Sequence, residues 1–352
     1  MAVAFIGSAG IPNRYGGFES FLEHCAPAIA SLGTVVTVTC DARLYQDHTS
    51  DFHGVRREFL SVPANGASSI IHDGIAFLRV FRRHQQIVVL GVSGGIWFPI
   101  FRLLCAVTRK RLIVNVDGVE WRRSKFSKSK RLLLKAFDTL AQWCSHHVVY
   151  DNIGLHRFLT GSAKRKSTCI AYPGDHVRRI AGISKKSRSA LTICRIEPEN
   201  NLELLIDGAL SSTLAEYTIV GNWNHSDYAR TLRARHEGDP RLRLLDPIYD
   251  PVKLAEMREA CEVYLHGHSV GGTNPSLVEM LFYDCAIFCF DVDFNRQTAA
   301  NCASYFANAE QLRSILDADL PPGGDRQKLR SGYSAQAIAE AYLAVIDNEI
   351  HP

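Results

Sequence analysis

The chain has 352 residues, 46% of them hydrophobic and 22% charged, with a formal net charge of +4. That length supports two domains with cores of their own, and so mild a charge gives no footprint for nucleic acid. The ten cysteines include no CxxC pair and no Cys/His cluster at zinc spacing, which argues for reduced, mostly buried thiols and against a disulfide framework or a cysteine-held metal.

In chain order, MAVAFIGSAGIPNRYGGFES comes first. No basic segment leads into a long apolar one, so the expected location is the cytoplasm, and no later apolar stretch has the length of a spanning helix. The segment predicts a strand over 3–6, a glycine loop over 7–17 and a helix over 18–31. Strand, glycine loop and helix can turn backbone N–H groups and a helix N-terminus toward an anion. A tight turn into the first helix of any α/β protein is the other reading, and the third glycine of the dinucleotide fingerprint is missing. Strands are expected at 34–40, 86–92, 111–118 and 146–152, with helices at 68–83, 97–108 and 127–144. The segment 41–67 is weakly patterned, with an irregular or edge strand at VRREFLSVP. Apolar runs joined by helix-length segments predict a parallel sheet covered on both faces.

A polar, basic segment surrounds YPGDHV at 172–177, and the pattern then restarts. Strands are expected at 188–194, 216–221, 242–248, 261–267 and 285–291. Helices are expected at 198–210, 226–236, 251–259, 275–283, 307–315 and 334–348. The chain is therefore expected to be α/β with two Rossmann-like domains facing across a cleft, 1–178 and 179–333, and a final helix in 334–352 returning toward the first domain.

The glycine- or charge-rich exceptions to the apolar pattern all follow expected strands: GSAGIPNRYGG, GVSGG, NVDGVEWRR, CRIEPENN, VGNWN and HGHSVGGTNPSLVE. In the last, Asn274 or Thr273 can cap a helix opened by Pro275. The backbone from Gly272 to Ser276 can offer N–H donors to phosphate. Ser276 and Glu279, three apart, share a side. His266 and His268 show no third metal partner and are expected to line the site. Asp291 and Asp293 resemble a cation pair, but with no third ligand they are expected to cap a loop, so no metal site is assigned. The run WRRSKFSKSKRLLLKAF at 121–137 is basic and amphipathic. It is suited either to an anionic membrane surface or to an ordinary solvated helix face.

The stretches GSAGIPNRYGGFESFLE, NVDGVEWRRSKFS, CRIEPENN and GGTNPSLVEMLFYDC resemble retaining glycosyltransferases of the GT-B type in glycosyltransferase family 4. More narrowly, they resemble the bacterial rhamnosyltransferase-like subgroup with the N-terminal GSxGIPxxYGGFE signature. The resemblance implies that the first domain binds a glycan or lipid-linked saccharide acceptor and the second a nucleoside-diphosphate sugar (dTDP-rhamnose, a UDP-sugar or a GDP-sugar). It implies no cofactor and no essential metal, a role in surface polysaccharide synthesis, and a cytoplasmic protein peripheral to the inner face of the membrane.

By resemblance, Gly16 and Gly17 approach donor phosphate and Arg195 meets the diphosphate, with Arg14 and Arg296 as further bases. Glu279 is the second glutamate of the family's E-x7-E motif and contacts the donor ribose. Gly221, Asn222, Gly272, Thr273, Asn274 and Ser276 join the donor site. Asp117 and Glu120 stand where the wider family has a histidine after a central strand and are candidates for handling the acceptor hydroxyl. Two residues depart from the pattern: Gly271 replaces the first glutamate, and Asn201 replaces the lysine that usually follows the arginine. An epimerase or phosphorylase on the same fold, or a non-catalytic glycan-binding protein, stays open.

Overall fold

The opening apolar run forms β1 (Ala2–Ile6), whose last four residues are fully buried, in a computed structural model that describes residues 1–14, 16–116, 118–122, 126–319 and 325–347. It is followed by α1 (Gly17–Ser31), β2 (Val35–Asp41), β3 (Asp51–Phe52), β4 (Val55–Leu60), α2 (Ser69–Phe81) and β5 (Gln86–Leu90). Next come α3 (Phe98–Val107), β6 (Arg111–Asn115), α4 (Lys128–Cys144), β7 (His147–Tyr150), α5 (Gly161–Lys164) and β8 (Ser167–Cys169). The sheet order is β3-β4-β2-β1-β5-β6-β7-β8, parallel throughout except for the β3–β4 pair. Strands β1, β5 and β6 are almost entirely buried, as expected of a parallel sheet covered on both sides.

The strand order reverses at β1, so the glycine loop leaves the sheet at a topological switch point. Its shape is set from below. Gly10 has φ +102°, and a Cβ there would stand 2.5 Å from Cys40 Sγ, so only glycine fits. The backbone N–H of Ala9 donates to buried Glu19 at 2.6 Å, and that of Asn13 to Glu23 at 2.9 Å. Tyr45 donates its hydroxyl to the Pro12 carbonyl at 3.0 Å, and Arg57 reaches the Ile11 carbonyl. Much of this loop's glycine and acid content therefore serves to hold the loop itself.

The second unit contains β9 (Lys186–Ile193), α6 (Leu202–Leu210), β10 (Glu216–Val220), α7 (Asp227–His236), β11 (Leu242–Leu245), α8 (Pro251–Ala260) and β12 (Cys261–His266). It continues with α9 (Pro275–Met280), β13 (Ala286–Phe290), α10 (Asp293–Ala299), β14 (Ser304–Phe306), α11 (Ala309–Asp317) and α12 (Gln327–Gly332). Its parallel sheet has the order β11-β10-β9-β12-β13-β14, the doubly wound pattern with its switch point between β9 and β12.

The chain divides between residues 173 and 174, a few residues before the expected position. The Gly174 N–H donates to the Tyr333 carbonyl at 2.8 Å, and a Cβ at Gly174 would lie 2.7 Å from Val278, which ties the second half of YPGDHV to the second unit. The last helix, α13 (Ala335–Asp347), belongs to the first unit. There Tyr342 packs 5.1 Å from the Phe21 ring and accepts from Asn115 Nδ2 at 2.7 Å, while Arg111 donates to the Val345 carbonyl at 2.8 Å. Among the described residues no helix is long and apolar enough to cross a membrane.

Candidate functional site

The two loops that border the second unit's switch point, 194–201 after β9 and 267–274 after β12, are laced together. Asn201 donates to the Gly267 carbonyl at 2.8 Å, Asn200 Oδ1 lies 2.9 Å from His268 Nδ1, and Asn200 Nδ2 donates to the Arg195 carbonyl at 2.7 Å. Both the N–H and the hydroxyl of Ser269 donate to the Glu199 carbonyl at 2.9 Å. A Cβ on Gly267 would collide with the Asn200 carbonyl, so the close approach of the loops demands that glycine. From α10, Asn295 donates to the His268 carbonyl at 2.9 Å. The crevice rim is held together by backbone and side-chain hydrogen bonds.

This lacing gives Asn201 a structural role of its own. Expected inside a helix over 198–210, Asn201 instead separates a 3₁₀ turn (Pro198–Asn200) from α6, with a left-handed φ of +49°. Asparagine tolerates that conformation better than lysine, and here its side-chain amide holds the neighbouring loop.

Arg195 stands at this rim, exposed, and no ion pair to its side chain occurs among the described residues. Arg14 in the first unit is likewise exposed without an ion pair among the described residues. Arg296 differs: it holds Asp291 through two bonds of 2.5 and 2.8 Å and stacks on Tyr305. That pair depresses the Asp291 pKa and engages both the expected extra base and half of the Asp291–Asp293 motif. No group of three or more His, Cys, Asp or Glu side chains at metal spacing occurs among the described residues.

Asn274 caps α9, its Oδ1 accepting from the Ser276 N–H at 3.1 Å and hydroxyl at 2.8 Å. Thr273 is buried and Gly272 half-buried. Glu279 lies one turn further on with 14% of its side chain exposed. Its Oε2 is gripped by the Arg258 guanidinium, and its Oε1 lies 3.3 Å from His176 Nε2. Burial pushes the Glu279 pKa up, but the Arg258 charge and the His176 bond outweigh it and hold the carboxyl below its ordinary value. Both oxygens thus have protein partners, although a carboxylate has further lone pairs for a ligand hydroxyl. Sequence reading missed Arg258 and His176, since neither lies near Glu279 in the chain.

Gly221 is a packing position, where a Cβ would stand 2.5 Å from the Cys194 carbonyl oxygen. Asn222 is exposed and accepts from the Asn224 N–H at 3.1 Å in a local turn. Gly16, extended at φ −162°, precedes α1, and Gly17 is its first residue. Asp117 lies outside the described residues, and of Glu120 only the backbone is described, in a 3₁₀ turn (Glu120–Arg122).

His266, at the end of β12, is 3% exposed, and its Nε2 has no hydrogen-bond partner among the described residues. Burial, with a smaller push from His268, lowers its pKa to about 3. The unfolded chain takes up a proton on this ring near the ordinary value of about 6.5, while the folded chain does not. Stability is therefore expected to fall as pH drops from about 6.5 toward 3, with this ring contributing up to about 1.4 kcal/mol per unit. Urea midpoints measured across that range should fall less steeply in His266→Phe. Equal slopes in the two proteins would show that the ring does not titrate in this way.

Residues 1–175 match a family model described as a domain of unknown function, DUF1972. No curated protein matches the chain by sequence. Among solved structures, a sucrose-phosphate synthase from Thermosynechococcus elongatus is similar with a TM-score of 0.79 and 12% identity, over 98% of each chain. HepE from Anabaena, in complex with UDP and glucose, has a TM-score of 0.63 and 14% identity, over 98% of this chain and 96% of that one. The pneumococcal O-GlcNAc transferase GtfA, in complex with UDP and GlcNAc, has a TM-score of 0.59 and 14% identity, over 80% of this chain and 60% of that one. The fold is GT-B, two Rossmann-like domains in one chain.

Proposed function

We propose that the protein is a retaining glycosyltransferase of family 4 that moves a sugar, rhamnose by its N-terminal signature, from a nucleoside-diphosphate donor to a glycan or lipid-linked saccharide in surface polysaccharide synthesis. The observation that carries this proposal is Arg195, an exposed cation with no ion pair among the described residues, on a braced rim at the second unit's switch point. Crevices at such points are where doubly wound sheets take ligands. Two solved structures of similar fold hold UDP with a sugar, which supports a nucleoside-diphosphate donor for this chain.

In this reading the bond from the anomeric carbon to the diphosphate oxygen breaks as the acceptor hydroxyl attacks on the same face. Charge grows on the leaving diphosphate, and Arg195 with the backbone N–H groups of 272–274 compensates it, beside Ser276, whose own N–H is held by the Asn274 cap. Glu279, oriented by Arg258 and His176, accepts from donor hydroxyls. The acceptor proton passes to the departing phosphate or to Asp117, with Glu120 close in sequence, while Arg14, Gly16 and Gly17 assist at the phosphate and the reacting sugar. Gly221, Asn222, Gly272, Thr273 and Asn274 shape the donor site. The test is a panel of dTDP-, UDP- and GDP-sugars offered to the full chain with saccharide acceptors. One donor should be consumed preferentially, and NMR of the product should show the donor's anomeric configuration kept. Nucleotide binding without turnover would favour a glycan-binding protein, and an inverted product would overturn the retaining assignment.

A further inference from the structure

We propose that the outer face of α2, α3 and α4 is a docking surface for an anionic lipid bilayer, with α3 as the edge that enters the lipid. The three helices lie side by side on the first unit's sheet. Phe77 of α2 stacks on Phe101 of α3 at 3.8 Å, and Gly95, just before α3, approaches so near Phe137 of α4 that a side chain there would collide. A helix apolar on every side normally belongs in a core. Yet α3 buries only Phe98, Phe101 and Cys105, and Ile96, Ile100, Leu103 and Val107 form one outward stripe at helical spacing. Leu103 is 64% and Val107 77% exposed. From α4, Leu132 and Leu133 are exposed as well. So many aliphatic side chains left in solvent on neighbouring helices mark an interaction surface.

Charge identifies the occupant. The segments 69–83, 95–110 and 128–144 hold ten Lys and Arg against two acidic residues, an excess of eight on a chain whose total is +4. The two acids, Asp73 and Asp138, are buried. Arg83 is held by Glu58, and Lys110 by backbone carbonyls. Arg102, Arg109, Lys128, Lys130 and Lys135 remain exposed. Aliphatic side chains rimmed by cations fit acyl chains beneath anionic headgroups. A second copy would set one cationic rim against another, and the bare aliphatic stripe offers nothing to a nucleic acid. The sequence alone directs attention to 121–137. In the structure Arg131 is engaged with the Trp121 carbonyl, residues 123–125 lie outside the described set, and the apolar edge comes chiefly from α3. This surface does not depend on the transferase reading.

The test is flotation of the full chain with phosphatidylcholine vesicles and with equal mixtures of phosphatidylcholine and phosphatidylglycerol, at low salt and at about 0.5 M salt. The protein should float with the mixed vesicles at low salt, detach at high salt and ignore phosphatidylcholine. Leu103→Ser/Val107→Ser should weaken binding at least tenfold with an unchanged melting temperature, since both side chains stand in solvent. Lys128→Gln/Lys130→Gln should weaken it too and flatten the salt dependence. Wild-type protein that ignores the mixed vesicles, or a serine variant that binds as tightly as wild type, overturns the proposal. Sedimentation showing a dimer that the serine variant dissolves would also overturn it, in favour of contact between copies.

Discussion

Arg195→Ala is expected to lower turnover with the preferred donor roughly 10²–10³-fold, the usual loss when one preorganised donor to a developing negative charge is removed. Its stability should stay within about 0.5 kcal/mol of wild type, as for other exposed side chains. The local structure depends on the residue's backbone, because its carbonyl accepts from Asn200 Nδ2 and the Glu197 N–H, and alanine keeps that carbonyl. The side chain is exposed with no ion pair among the described residues, so its removal frees no buried charge. Asn201 supplies no charge, which leaves Arg195 as the one cation in CRIEPENN. Stopped-time assays over donor concentration, paired with thermal melts, read both quantities. Normal turnover in the alanine variant would remove Arg195 from the chemistry.

The largest effect on stability is expected at the Glu279 cluster. Arg258 and Glu279 have side chains only 10% and 14% exposed. Arg258→Met should therefore cost about 3–5 kcal/mol, since it leaves a buried carboxylate without its main counter-charge. Arg258→Met/Glu279→Gln should recover much of that loss, because the stranded charge goes with its partner. The sign with pH follows from the depressed carboxyl. In wild type its contribution is full above the unfolded value of about 4.3 and is lost as acid protonates the folded form. In Arg258→Met, burial dominates and lifts the carboxyl, so the variant should gain on wild type as pH falls through 5 toward 4, by about 1.4 kcal/mol per unit at most. Urea titrations at several pH values measure all of this. A loss below about 1 kcal/mol at neutral pH would mean that the pair behaves as a surface ion pair.

The central strands were legible because β1, β5, β6 and β12 each carry three to five consecutive apolar residues between turn signals. The edges were not. β3 has two residues and β8 three, too short for any alternation to register. Helix α10 formed where a loop was expected, since DFNRQTA is mostly polar and its inward residues, Phe294, Asn295 and Thr298, include only one large apolar group. The break at Asn201 carried no glycine to mark the left-handed turn. At the site, the glycine loops and the Asn274 cap could be read from local chemistry. The partners of Glu279 could not, because Arg258 lies 21 residues away and His176 103 residues away. Glu19 was likewise missed, since its bond to the Ala9 N–H arises only when the loop folds back over α1.

A nucleoside diphosphate is expected to bind the second unit at the loops that follow β9 and β12. Hydrogen exchange on the full chain, with and without saturating UDP, dTDP or GDP, tests it most directly, because each loop supplies backbone amides with their own protection. At least one nucleotide should slow exchange across both 194–201 and 267–276, and Arg195→Ala should reduce that protection at equal nucleotide concentration. Protection confined to other segments, or unchanged exchange with all three nucleotides at millimolar concentration, would contradict the claim.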